Sequence, residues 1–249
     1  MTVLSVLTGI TILLDLDKQR SAAPAPAAVA DVIAWTPLSL QVPALCFFML
    51  VLGTGPVATD LVSGAARTTW LTVNGRGSAY AAKSAVGVAF GTGTAAASAL
   101  LGALSCAVTL AAAGASQPAW DEIAAPAARF VVWMGCWALL CPAAVALLRS
   151  RTVSVLFLVL WPLLGERIAG ALLGYVPGLD GMGDWLPFAA GRAMLTDVSA
   201  YAGEDRSFVQ ALIGSHLPTP TAAAVFVLST AAFAAAGMWA YCRRDLKKT

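Results

Sequence analysis

The chain has 249 residues, of which 59% are hydrophobic and 11% charged, and its mean hydropathy is +0.79. A soluble domain carries about 25% charged residues, so these values exclude an ordinary soluble enzyme and imply an integral membrane protein with several spans. The formal net charge of +2 says little, whereas the placement of the charges says more.

Residues 3–16 open with the apolar run VLSVLTGITILL, short against the roughly 20 residues of a span. A signal peptide is the competing reading, since the Ala- and Pro-rich residues 21–28 offer a cleavage site. The lack of a basic leader and the charged residues 15–20 favour a short first span, or a start site placed late. Residues 21–37 read as a loop with a short interfacial helix over 31–35. A second span is expected over 38–59, with Pro43 and Pro56 near its ends, where neighbours can re-satisfy freed backbone groups.

Residues 60–83, DLVSGAARTTWLTVNGRGSAYAAK, form the longest polar interruption in the first half. Trp70, Leu71 and Val73 suit a lipid surface while Arg67 and Arg76 face water, and Asn74-Gly-Arg-Gly77 signals a turn. Two readings stand: an ordinary cytoplasmic loop, or the place where a soluble partner pushes on the membrane part.

A third span is expected over 84–113. It is dense in small residues, with Gly87 and Gly91 forming a GxxxG pair that lets helix backbones approach closely, within the bundle or against a second copy. Residues 114–128 read as a loop. A fourth span follows over 129–148, with Trp133 and Trp137 near its start, and the basic turn Arg149-Ser-Arg151 sends a fifth back over 152–173. That fifth segment is interrupted by Glu166-Arg167. At about 1.5 Å per residue, Glu166 stands roughly 22 Å past Arg151 in a core about 30 Å thick. The pair either snorkels at the outer interface or lines the outer end of a cavity. Residues 174–220 hold two patches too short to span, around 184–195 and 206–214, which suit helices that dip in from the outer side and return. The last span is 221–241, followed by a basic tail ending at Thr249.

With both termini inside, the inner side carries Arg67, Arg76, Lys83, Arg149, Arg151, Arg243, Arg244, Lys247 and Lys248. The outer side carries Lys18, Arg20, Arg129, Arg167, Arg192 and Arg206. Nine against six agrees with the positive-inside rule. The expected fold is thus an all-α integral membrane protein of six transmembrane helices, one transmembrane domain over 1–249. A cytoplasmic loop follows the second helix, and re-entrant outer helices lie between the fifth and sixth.

Chemistry-bearing motifs are few. The cysteines Cys46, Cys106, Cys136, Cys141 and Cys242 lie in or beside apolar runs without zinc spacing and read as packing residues. His216, the single histidine, sits in a turn beside Pro218 and Pro220 with no second ligand nearby. No metal site, catalytic residue or nucleic-acid partner is expected, and no phosphate-binding GxxxxGK[ST] loop is present.

The order of parts resembles the ABC-2-type permease family, the membrane subunits of ABC exporters. In that family the loop after the second span carries an acidic residue, Gly-Thr, a leucine-rich turn, a basic residue and an Ala-Lys opening the third span. Here Asp60, Ser63-Gly64-Ala65, Thr69-Trp-Leu71, Arg76 and Ala82-Lys83 stand in that order, with Asp60 for the usual glutamate and Ala65 for the usual threonine. Trp161-Pro162 followed by Glu166, and Leu186-Pro187-Phe188, also look like actinobacterial-style members. The amphipathic helix that usually precedes the first span has no counterpart. The resemblance implies a bacterial cytoplasmic-membrane half-transporter with a cytoplasmic C-terminus, paired with a second permease subunit, identical or not. It would dock a separate ABC ATPase, which holds ATP and Mg, through Asp60, Gly64, Arg67, Arg76 and Lys83. Glu166, Arg167, Pro187 and Phe188 would belong to an outer gate or pathway, and an amphiphilic substrate (drug, peptide or lipid-like) would be exported. The competing classes are a secondary transporter and a non-transporting membrane scaffold. A membrane enzyme would need clustered His, Asp or Glu on facing helices, and the acids here are dispersed.

Overall fold

The computed structural model describes residues 26–34, 43–63, 75–179, 181–196, 198 and 203–243. These residues are all-helical apart from turns and connections. In chain order they form α1 (Pro26–Ala34), α2 (Leu45–Ser63), α3 (Arg76–Ala112), α4 (Trp120–Leu148), α5 (Arg151–Leu160) and α6 (Glu166–Gly174). Then come α7 (Pro187–Leu195), α8 (Gly203–Ile213) and α9 (Thr219–Cys242). A π-turn over Trp161–Gly165 joins α5 to α6, and a 3-10 turn over Met182–Trp185 precedes α7.

Among the described residues, four helices are long and apolar enough to cross a membrane: α3, α4, the continuous Arg151–Gly174 rod and α9. The sixfold expectation is therefore met only in part. Residues 3–16, and 38–42 of the expected second span, lie outside the described residues; among those described, α2 offers the apolar stretch Leu45–Thr59, short of that length. Two boundaries also differ. The third helix begins at Arg76, so residues 76–83 are helix rather than loop. Gly75 takes φ 120° at the turn, and Ser78 Oγ donates to its carbonyl; the Ala-rich residues beyond favour helix despite their charges. The fourth begins at Trp120, absorbing more than half of the expected 114–128 loop. Asp121 and Glu122 fall in its first turn, where the helix dipole favours anions. The short helix expected over 31–35 is α1, whose buried Val29 and Ile33 seat it on the bundle, Ile33 against Gly102.

The bundle is organised around α4. Of its most apolar stretch 72% is buried, against 17–33% for the other three long helices, so α4 is the central rod and the others ring it. Trp133 and Trp137 are accordingly mid-helix core residues rather than residues near the helix start. Trp133 stacks on Phe226 with ring centroids 4.5 Å apart, and Trp137 meets Phe188 edge-on at 5.8 Å. Their indole N–H groups donate to Cys46, one to its Sγ and one to its carbonyl, both at 3.1 Å. Small residues set the close crossings. A Cβ on Gly91 would stand 3.0 Å from the Ala138 Cβ, and one on Gly237 would stand 2.7 Å from the Ala143 Cα. The GxxxG face of α3 is thus turned to α4, inside the bundle.

The same contacts fix direction. Cys46 meets Met134 while Gly53 meets Cys141, so α2 runs parallel to α4; Phe226 and Gly237 do the same for α9. Gly91 and Thr92 face Ala138 and Gly135, so α3 is antiparallel. The C-terminal ends of α2, α4 and α9 and the start of α3 meet in one cluster of Val57, Tyr80, Val145 and Tyr241. Arg76, Lys83, Arg149, Arg151 and Arg243 sit toward that end. The opposite end carries α7, α8 and their turns. Outward faces are apolar, with Val86, Leu100, Leu104, Leu172 and Leu228 exposed, as a lipid-facing surface requires.

Candidate functional site

At the end away from the basic cluster, three short elements converge on Glu166. Pro162 sits in the π-turn, and Gly165 has no room for a side chain because a Cβ there would lie 2.6 Å from the Trp161 ring. The widened turn leads directly into Glu166 at the start of α6. Its carboxylate is 1% exposed and accepts the backbone N–H groups of Phe188 and Ala189, at 2.9 and 2.8 Å, one on each oxygen. These are among the first N–H groups of α7, which have no partner within their own helix. Pro187 opens that helix, where its missing N–H costs nothing. A buried anion is stabilised here by two charge-assisted hydrogen bonds and by the positive end of the helix dipole.

Arg192, on the same short helix, is 2% exposed. Its Nε donates to the Ile213 carbonyl and its Nη1 to the Pro162 carbonyl, both at 2.9 Å. Arg167 Nη2 donates to the Leu212 carbonyl at 2.9 Å. The two guanidiniums therefore take the last carbonyls of α8, which Gly214 terminates at φ 70°. Arg129 completes the pattern from α4, reaching the Met194 carbonyl near the end of α7 at 3.2 Å. Glu166 is close enough to act as the counter-charge of the buried Arg192 guanidinium. Gly191 lets α7 sink this far, because a Cβ there would overlap the Trp133 ring.

The result is a latch: α6, α7 and α8 are tied end to end by one carboxylate and two guanidiniums. Beside it lies a cavity of about 110 Å³ walled by Phe157, Trp161, Phe188, Phe226 and Phe233, with Glu166 at its edge. Above it His216 Nδ1 stands 3.1 Å from Asp184 Oδ1, and Ser215 Oγ donates to the Asp184 carbonyl at 2.9 Å. This gives His216 one carboxylate neighbour that its place in the sequence does not reveal. Among the described residues, no three His, Cys, Asp or Glu side chains gather as a metal site.

Of the residues assigned to the outer site, Glu166, Pro187 and Phe188 are brought into direct contact, and Arg167 is beside them. Arg192 is absent from that set. Its one sequence signal is a lone arginine in the small-residue run Ala189-Ala-Gly-Arg-Ala193, too apolar a setting for a solvated loop. At the opposite end the expected coupling residues are only partly described. Asp60 lies on α2, while Gly64 and Arg67 fall outside the described residues. Arg76 Nη1 donates to the Cys242 carbonyl at 3.2 Å, joining the start of α3 to the end of α9. Lys83 Nζ stands 3.4 Å from the Pro56 carbonyl on α2.

No protein-family model, curated protein or solved structure matches this chain.

Proposed function

We propose that this chain is the membrane-spanning permease subunit of an ATP-driven exporter, oriented with its basic end in the cytoplasm. The observation that carries the reading is the pairing of two ends. α2 ends at Ser63 and α3 begins at Arg76, both at the basic end, so the polar residues between them in sequence offer a soluble ATPase a handle there. At the other end, short helices too brief to span are latched over an aromatic cavity. With no GxxxxGK[ST] loop in the sequence, an ATP-driven cycle draws its ATPase from another chain. Closure of that partner would shift the balance between two arrangements of the bundle, which requires contacts that differ between them. Arg67 and Arg76 are the proposed contacts. An amphiphilic substrate fits an interior without fixed charge away from the latch.

Reversing both charges, Arg67→Glu with Arg76→Glu, should leave the bundle folded and remove substrate-stimulated ATP hydrolysis by the reconstituted pair. Undiminished stimulation would remove the coupling role from this stretch.

One observation favours a second reading, an ion-coupled transporter. Buried Glu166 and Arg192 flank a helix interrupted by a π-turn, and buried ionisable groups beside broken helices mark many such proteins. Against it, Glu166 is held by two backbone N–H groups, which suits a fixed structural anion. Proton uptake by vesicles holding this chain alone would decide for the second reading.

A further inference from the structure

A groove of about 240 Å³ lies between α2, α3 and α4. Leu52, Val86 and Phe90 line it and are themselves exposed, so it opens sideways onto the face that lipid covers. It exists because Gly87 has no side chain: a Cβ there would still be 3.8 Å from its nearest neighbour, the Ala138 carbonyl. Lys83 lies four residues earlier on α3, hence on the same face, and is the one charged residue in the lining. Its Nζ stands against the Pro56 carbonyl, at the end of the groove nearer the basic cluster. The groove is therefore an apolar trough closed at one end by a cation. Seven residues separate Lys83 from Phe90, about 10 Å of helix. A cavity of about 150 Å³ already accommodates benzene, so this one has room for a stretch of hydrocarbon chain.

We propose that this groove binds one acyl chain of an anionic phospholipid, with the headgroup phosphate on the Lys83 ammonium. A lysine near a membrane surface lays its stem along apolar surface and holds its charge at headgroup level, which is the geometry this occupant needs. The inference requires only that the chain is a multi-pass membrane protein, and it gives Lys83 a lipid partner instead of an ATPase.

The test uses the full chain in mild detergent, with phosphatidylglycerol and phosphatidylcholine of identical acyl chains and bound lipid counted by native mass spectrometry. The wild type should retain one phosphatidylglycerol, with phosphatidylcholine weaker by about fivefold, the preference one lysine near the surface supplies. Lys83→Gln should erase that preference. Gly87→Leu and Leu52→Trp should each weaken both lipids by filling the trough. The first has space for its Cβ and the second starts from an exposed position, so at least one should keep the wild-type melting temperature and decide the point. Glycerol phosphate, a headgroup without a chain, should not displace the lipid. An unchanged preference in Lys83→Gln, unchanged retention in a folded groove-filling variant, displacement by glycerol phosphate, or no retained lipid would each overturn the proposal.

Discussion

Glu166 has both carboxylate oxygens engaged by backbone N–H groups, so even its closest neighbour in shape cannot replace it without loss. Glu166→Gln puts an amide NH2 against one of those donors and leaves it unpaired. An orphaned buried donor costs about 1–3 kcal/mol, readable as a lower melting temperature in detergent. Arg192→Met removes the cation beside Glu166 and the donor to both Pro162 and Ile213. Breaking a buried charge cluster from one side costs about 3–5 kcal/mol, so this variant should melt well below Glu166→Gln. Equal, small losses in the two would show that the latch carries little of the stability. Gly191→Ala should also destabilise, by about 1–3 kcal/mol, since its Cβ would overlap the Trp133 ring. The sequence made Glu166 conspicuous because a charge interrupts an apolar run. Arg192 was not conspicuous, because its run is short and small-residue-rich, and only the fold brings the Pro162 and Ile213 carbonyls to it.

At the scale of elements, the π-turn over Trp161–Gly165 sets the rotation of everything after it. One residue inserted into a helix turns the following residues by about 100°. An alanine inserted between Gly165 and Glu166 should therefore swing Glu166 off the start of α7. It should destabilise at least as much as Arg192→Met and expose α7 and α8 to protease. Wild-type protease resistance in that insertion would mean that the latch does not hold α7 in place. The long helices were legible from apolar run length, and α7 and α8 from patches too short to span. The helix starts at Arg76 and Trp120 were not. Arg76 and Lys83 read as loop charges, yet one caps the end of α9 and the other lies along α2. Asp121 and Glu122 read as loop acids, yet a helix N-terminus favours them. Charge marks a loop only when no helix end or neighbouring carbonyl needs it.

Across the whole molecule, alternating helix directions place Arg76, Lys83, Arg149, Arg151 and Arg243 together. Single cysteines should therefore report opposite sides. Tyr175→Cys, 85% exposed at the far end, should react with an impermeant maleimide added to intact cells. A cysteine replacing Thr249 should react only after the cells are opened. The native cysteines leave the experiment readable, since Cys46, Cys106, Cys136 and Cys141 are buried and Cys242 is at the basic end. Labelling of both positions from outside, or of neither, would break the orientation on which the coupling proposal depends.

As a proposed permease, this chain would be half of a machine whose motor is another protein. The most direct measurement is affinity purification of the tagged full chain from its own host in mild detergent, followed by identification of stoichiometric partners. An ATPase carrying a GxxxxGK[ST] loop should co-purify, and it should be lost when Arg67 and Arg76 are reversed together. A folded, well-solubilised chain that purifies without any such subunit would contradict it.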